Sequence, residues 1–129
     1  MKFHKDGTKP TNANVIFVFG SNLAGIHGAG AAREALVSYG AIMRCGRGLC
    51  GKSYAIPTKD AKIETMKIND IRPYVNDFLA FASIADNLEF FVTRVGCGLA
   101  GYDNSDIAPL FKSAGDNCNF PEEWESYLK

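Results

Sequence analysis

Three short apolar runs, each closed by small residues or proline, limit the architectures open to this chain. They are Asn14–Phe19 (NVIFVF), Ser53–Ile56 (SYAI) and Leu88–Val95 (LEFFVTRV). Each is rich in β-branched and aromatic residues and nearly continuous, the pattern of a strand buried on both faces of a parallel sheet. Between them the period changes. Ala29–Tyr39 (AGAAREALVSY) reads as a helix ended by Gly40. Ile71, Val75, Phe78, Leu79 and Ala82 recur at helical spacing within a helix expected over 70–85. Asn69 or Asp70 would cap it, and Pro73 would fall in its first turn, where a missing N–H costs no helical bond. A third helix opens at Asn104 or Ser105 and runs to about Ala114. Cys118–Phe120 forms a short last strand before a closing helix around Trp124 and Tyr127. Pro57 is expected to stop the second strand.

Strands alternating with helices predict βαβ units in one α/β domain, with a mainly parallel sheet covered on both faces. The polar residues 1–13, with Gly7 and Pro10, read as a loosely ordered lead-in to a domain over 14–129. Residues 41–52 carry glycines and two cysteines without a usable period. A chain of 129 residues with 47 % hydrophobic and 22 % charged residues can bury a real core.

Lys plus Arg equals Asp plus Glu at 14 each, so composition predicts no general affinity for nucleic acid. No run approaches the ~20 apolar residues of a membrane span. The residues behind Met1 do not read as a signal peptide, so a cytoplasmic protein with reduced thiols is expected. Cys45, Cys50, Cys97 and Cys118 lack zinc-ligand spacing, and His4 and His27 lie far from them in sequence. Neither a metal site nor a resident cofactor is expected.

Gly46 to Ser53 (GRGLCGKS) fits the nucleotide-binding pattern G-x-x-x-x-G-K-[ST]. That pattern works only when a helix starts at the lysine and aims its free N–H groups at the phosphates. Here Lys52 is followed by Ser-Tyr-Ala-Ile-Pro, which reads as a strand. A phosphate-loop NTPase is therefore a remote alternative.

Two other glycine loops follow strands in the way that phosphate sites require. Gly20 to Gly28 follows the first strand, and Gly28-Ala29-Gly30-Ala31 opens the first helix, where backbone N–H groups can approach a diphosphate. Gly96-Cys97-Gly98-Leu99-Ala100-Gly101-Tyr102 follows the third strand and can form a second anion-binding concavity. The bland alternative for both is tight-turn glycine with no ligand, in a structural or interaction protein.

GAGAA (28–32) and RVGCGLAGY (94–102) resemble the two ligand loops of macrodomains. Ile56-Pro57-Thr58-Lys59 is similar to the strand-ending Thr-Lys segment of the branch containing terminal ADP-ribose protein glycohydrolases and DNA ADP-ribosyl glycohydrolase antitoxins. Small macrodomain-like proteins of bacteria and phages are also similar. The resemblance spans about 14–115 and is strongest in these three motifs. It implies a three-layer α/β/α macrodomain-like domain that binds ADP-ribose or a derivative, free or carried on a macromolecule. It assigns the ligand to Gly20, Ser21, Asn22, Gly28, Ala29, Gly30, Ala31, Gly96, Cys97, Gly98, Leu99, Ala100, Gly101 and Tyr102. It makes Lys59 the nucleophile that attacks the distal ribose. The protein glycohydrolases carry an acidic residue where this chain has Ala100, and Asp6-Gly7 reverses the Gly-Asp pair by which macrodomains hold adenine. Two functions stay open on these grounds: an ADP-ribosyl hydrolase, and a non-catalytic module that sequesters an ADP-ribose-derived signal.

Individual side chains carry paired readings. Lys59 is a nucleophile or a solvated loop lysine beside Asp60. Asn22 holds a ribose hydroxyl or braces a turn. His27 is a general base or, preferably, a loop-packing residue. Cys97 is a small side chain beneath its loop rather than a nucleophile. Tyr102 covers the ligand or packs into the core.

Overall fold

The computed structural model describes residues 1–12 and 14–129. It contains β1 (Lys2–His4), β2 (Val15–Asn22), α1 (Gly30–Ser38), β3 (Gly48–Cys50), β4 (Ser53–Lys59), α2 (Ile68–Ile84), β5 (Glu89–Val92), α3 (Asn104–Ile107), β6 (Cys118–Pro121) and α4 (Glu125–Leu128). Short 3₁₀ turns at Ala108–Phe111 and Glu122–Trp124 follow α3 and precede α4. The six strands form one sheet in the order β1-β6-β5-β2-β4-β3. All neighbours are parallel except the β3–β4 edge pair. This is the α/β class that the alternation of elements predicts.

Side-chain alternation along β2 sorts the core into two layers. Val15, Phe17 and Phe19 point to one face, where they pack with Ala35 of α1 and Phe91 of β5. Ile16 and Val18 point to the other, into a larger cluster with Ile71, Val75 and Phe78 of α2, Ile107 of α3 and Leu128 of α4. Right-handed crossovers explain the division. Connections running from β1 toward β4 lie on the α1 face, and those returning toward β5 and β6 lie on the α2 face. No helix among the described residues is long and apolar enough to cross a membrane.

Several boundaries differ from the sequence reading, each for a local reason. Residues 2–4 are an edge strand paired with β6 rather than part of a loose lead-in. β2 runs on through Gly20, Ser21 and Asn22, which the sequence reading left in a loop. β4 continues past Pro57 to Lys59. β3 pairs only with Ser53, Tyr54 and Ala55, so Pro57 lies on an uncovered edge where its missing N–H breaks no ladder. The third strand stops at Val92 instead of Val95. α2 starts after Lys67, earlier than a cap at Asn69 or Asp70 would place it, so Pro73 sits in its second turn on an exposed face. The third helix is capped at Asp103, whose N–H donates to the Asp106 carboxylate at 3.1 Å. It tightens to a 3₁₀ turn at Ala108–Phe111, where Pro109 cannot donate the next α-helical bond. Residues 53–59 are strand, so no helix follows Lys52 and the phosphate-loop reading fails. The glycines around it serve close packing: a Cβ on Gly51 would lie 2.8 Å from the Gly40 carbonyl oxygen.

Candidate functional site

β2 and β5 are neighbours whose chains leave in opposite directions, β2 toward β4 and β5 toward β6. A crevice opens at the carboxyl ends of strands where such a switch occurs. A cleft of about 630 Å³ occupies that position. Its walls are the loop after β2 with the start of α1, the loop after β5, the end of β4, and the segment joining β1 to β2.

The start of α1 faces this cleft without a cap. Its N-cap is Ala29, no side chain bonds there, and the first turn holds no acidic residue. The backbone N–H groups from Gly28 to Ala32 donate to no protein acceptor among the described residues. Gly30 has a φ of +60° and no atom within 4 Å of where a Cβ would stand. Across the cleft, the N–H groups of Gly98, Leu99 and Ala100 also lack protein acceptors among the described residues. Free amides on both walls, one set at the positive end of a helix dipole, suit an oxyanion between them. The walls meet closely at their base, where a Cβ on Gly20 would be 3.3 Å from the Gly96 nitrogen. A side chain at position 20 would press on that contact by a few tenths of an ångström.

The structure gathers Gly20, Ser21, Asn22, Gly28, Ala29, Gly30, Ala31, Lys59, Gly96, Cys97, Gly98, Leu99 and Ala100 around the one cleft. It does not bring Gly101 or Tyr102 there. Gly101 turns the chain at a φ of +86°, and the Tyr102 hydroxyl donates to the Met66 carbonyl while its ring packs on the α2-side core. The aromatic-cover role for Tyr102 is thereby corrected to core packing. His27 is fully buried, its Nε2 3.1 Å from the Cys45 carbonyl oxygen and its ring edge-on to Phe19. The base reading is excluded by that position, and loop packing stands. Asn22 braces its turn: Oδ1 accepts the Ile26 N–H at 3.0 Å and Nδ2 donates to the Ile26 carbonyl at 2.9 Å. Ser21 Oγ donates to the Gly46 carbonyl, tying the first wall to the chain before β3.

Lys59 ends β4 opposite Asn22, and its amine has no hydrogen-bond or ion-pair partner among the described residues. The turn beyond it is held by Asp60, whose Oδ1 accepts the N–H groups of Lys62 at 2.8 Å and Glu64 at 3.0 Å. That bracing keeps Ile63 at a φ of +64°, an unfavourable conformation for a β-branched residue, with its side chain at the cleft mouth. Burial pushes the Cys97 thiol up to about 11, with nearby Arg94 opposing and several carboxylates reinforcing the shift. It remains a neutral thiol at neutral pH, consistent with a packing role.

Sequence reasoning missed the far end of the cleft. Its floor is aromatic: Phe17 and Phe91 on the α1 face of the sheet, and His4 stacked on Phe91 at 3.8 Å between centroids. Burial lowers the affinity of His4 for a proton, against smaller opposing effects led by its 2.9 Å bond to Asn119. Asp6, Thr8 and Glu34 stand around this floor, as does Arg94. The phenylalanines at alternate positions of β2 signalled a shared face. His4 and Asp6 gave no signal, because a three-residue strand has no measurable period. Among the described residues no group of three or more His, Cys, Asp or Glu is placed to hold a metal. Comparisons with protein-family models, curated proteins and solved structures give no match.

Proposed function

We propose that the cleft binds ADP-ribose or a related nucleotide, with the diphosphate between the two glycine walls and the base on the aromatic floor. One observation carries the reading: the uncapped start of α1 and the free amides of 98–100 line opposite walls of one cleft that also contains the half-buried His4 ring, stacked on Phe91, and a lysine with no partner among the described residues. The three parts match a nucleotide's diphosphate, planar base and reactive sugar. The resemblance of the loops to those of macrodomains points the same way.

Lys59 stands on the opposite side of β2 from Phe91 and His4, so a ligand laid along the cleft presents its distal ribose there. In the hydrolase form of the proposal, the Lys59 amine attacks the anomeric carbon through its nitrogen lone pair. The bond to the leaving group breaks with its electron pair, and a proton passes to the leaving group. Water then hydrolyses the lysine adduct and restores the amine. A second reading, capture without turnover, is favoured by the position of the acids. Asp6 and Glu34 lie at the aromatic end, the Asp60 Oδ1 is engaged by its own turn, and Ala100 offers the cleft a methyl group.

Calorimetry with ADP-ribose, alongside turnover assays on ADP-ribosylated protein and DNA, tests both forms. Lys59→Ala should abolish turnover and change affinity by less than about tenfold, because a nucleophile contributes mainly to the transition state. Tight binding with no turnover by the wild-type protein selects sequestration. No binding of ADP-ribose or its derivatives overturns the proposal.

A further inference from the structure

The cleft holds a second cation whose geometry is set apart from Lys59. Arg94 leaves the sheet just beyond β5, on the other side of β2 from Lys59 and beside the aromatic floor. Its Nε donates to Asn104 Oδ1 at 3.0 Å, and the same oxygen accepts the indole N–H of fully buried Trp124 at 2.9 Å. The shaft of the guanidinium is thus anchored to the core. Its head is held differently. Among the described residues Nη1 reaches only Asp6 Oδ2, at 3.5 Å, with the Arg94 side chain 33 % and the Asp6 side chain 45 % exposed. A long, partly solvated ion pair of this kind adds little to stability.

We propose that Arg94 forms a phosphomonoester subsite at the nucleoside end of the cleft, so that the preferred ligand carries a phosphate in addition to its diphosphate. The inference rests on the cleft being a nucleotide site. A guanidinium has five N–H donors in a fixed plane, and only two of Arg94's are engaged by the contacts above. A phosphomonoester brings about −1.5 to −2 charges at neutral pH and can accept two parallel bonds, where Asp6 brings one charge and one distant oxygen. The incoming phosphate therefore displaces Asp6. The displacement costs little because Asp6 belongs to the exposed segment between β1 and β2, which is otherwise tied across the cleft by the 3.9 Å Lys9–Glu34 pair. The anchor on Asn104 keeps the guanidinium in place throughout, so the arginine does not need to be ordered by the ligand. The cleft's other lining lysine, Lys59, stands on the far side of β2 from Arg94.

The test compares ADP-ribose with ADP-ribose bearing a 2′- or 3′-phosphate on its adenosine ribose, by calorimetry on the whole chain. Wild-type protein should bind one of the phosphorylated compounds at least about tenfold more tightly, as expected for added charge-assisted hydrogen bonds. Arg94→Gln should reduce that preference to within about threefold and leave the affinity for plain ADP-ribose within the same margin. Arg94 also supports Asn104 and Trp124, so Asp6→Asn provides a second arm with that anchor intact. It removes the competing carboxylate and should tighten binding of the phosphorylated compound severalfold. Equal affinity of the wild-type protein for all the compounds overturns the inference while leaving the nucleotide site standing. An equal loss for all of them in Arg94→Gln does the same, by making Arg94 a diphosphate contact. Failure of all the compounds to bind the wild-type protein overturns the nucleotide site, and the subsite with it.

Discussion

Gly30 combines two properties that a binding loop needs in one residue. Its φ of +60° belongs to the left-handed region, and the space where a Cβ would stand is open toward the cleft. Gly30→Glu should therefore fold, at a cost of about 1–2 kcal/mol for an L-residue in that conformation. A carboxylate in the first turn of α1 interacts favourably with the helix dipole and offsets part of that cost. The same carboxylate occupies the anion's place, so ADP-ribose affinity should fall by about a hundredfold or more, which is ~2.7 kcal/mol. Unchanged affinity in a folded Gly30→Glu protein rules out the start of α1 as the diphosphate site. At this scale the sequence placed Lys59 and the candidate glycines other than Gly101 at the cleft, because backbone freedom and charge are local properties. The preferred loop-packing role of His27 stands, whereas the role of Tyr102 was not legible. A ring with a polar edge can face a ligand or a buried carbonyl, and here the Met66 and Cys45 carbonyls receive them.

Among the elements, β1 depends most on a single titratable group. His4 stacks on Phe91 and bonds Asn119, and burial disfavours its charged form relative to the ordinary value of 6.5. The unfolded chain thus binds a proton more readily than the folded one just below that value. Stability is fully present above about 6.5 and is lost as pH falls through and below it. Hydrogen exchange should show protection of β1 falling on acidification ahead of β5, with His4→Phe removing the difference. Protection of β1 that is independent of pH between 5 and 8 sinks this account. Proline positions also changed meaning between sequence and structure. Pro57 looked like a strand stop and Pro73 like a first-turn residue. Whether a missing N–H matters is decided by whether a neighbouring strand or helical turn needs it, and neighbours are not visible in a linear pattern.

Across the whole molecule, the larger core cluster and the aromatic floor of the cleft lie on opposite faces of the sheet. Phe78 of α2 makes edge-on contacts with Tyr54, Phe90 and Phe111 at 5.2, 5.4 and 6.1 Å, joining α2 to β4, β5 and the 3₁₀ turn after α3. It is fully buried and lies on the face away from α1. Phe78→Ala should cost about 3–5 kcal/mol in urea unfolding, a large share of the ~5–15 kcal/mol available to a domain. Ligand affinity of the fraction that remains folded should be unchanged, because the aromatic floor of the cleft is Phe17 and Phe91 on the other face. A loss of affinity matching the loss of stability would show that the two faces are coupled.

The α/β class, strands β2, β4, β5 and β6, helices α1 and α2 and both glycine walls were determined by the sequence itself. These features are local: apolar runs of strand length, helical spacing, and glycine where backbone must approach something closely. The tertiary structure alone decided that the first two walls converge with Lys59 on one cleft, because that follows from strand order and from the direction each chain leaves the sheet. It alone brought Phe17 and Phe91 together, since β2 and β5 are far apart in sequence and adjacent only through pairing. It also placed His4, Asp6 and Arg94 at the same end of the cleft. Their meeting depends on an edge strand too short to carry a pattern and on ion pairs between distant segments, and no periodicity records either.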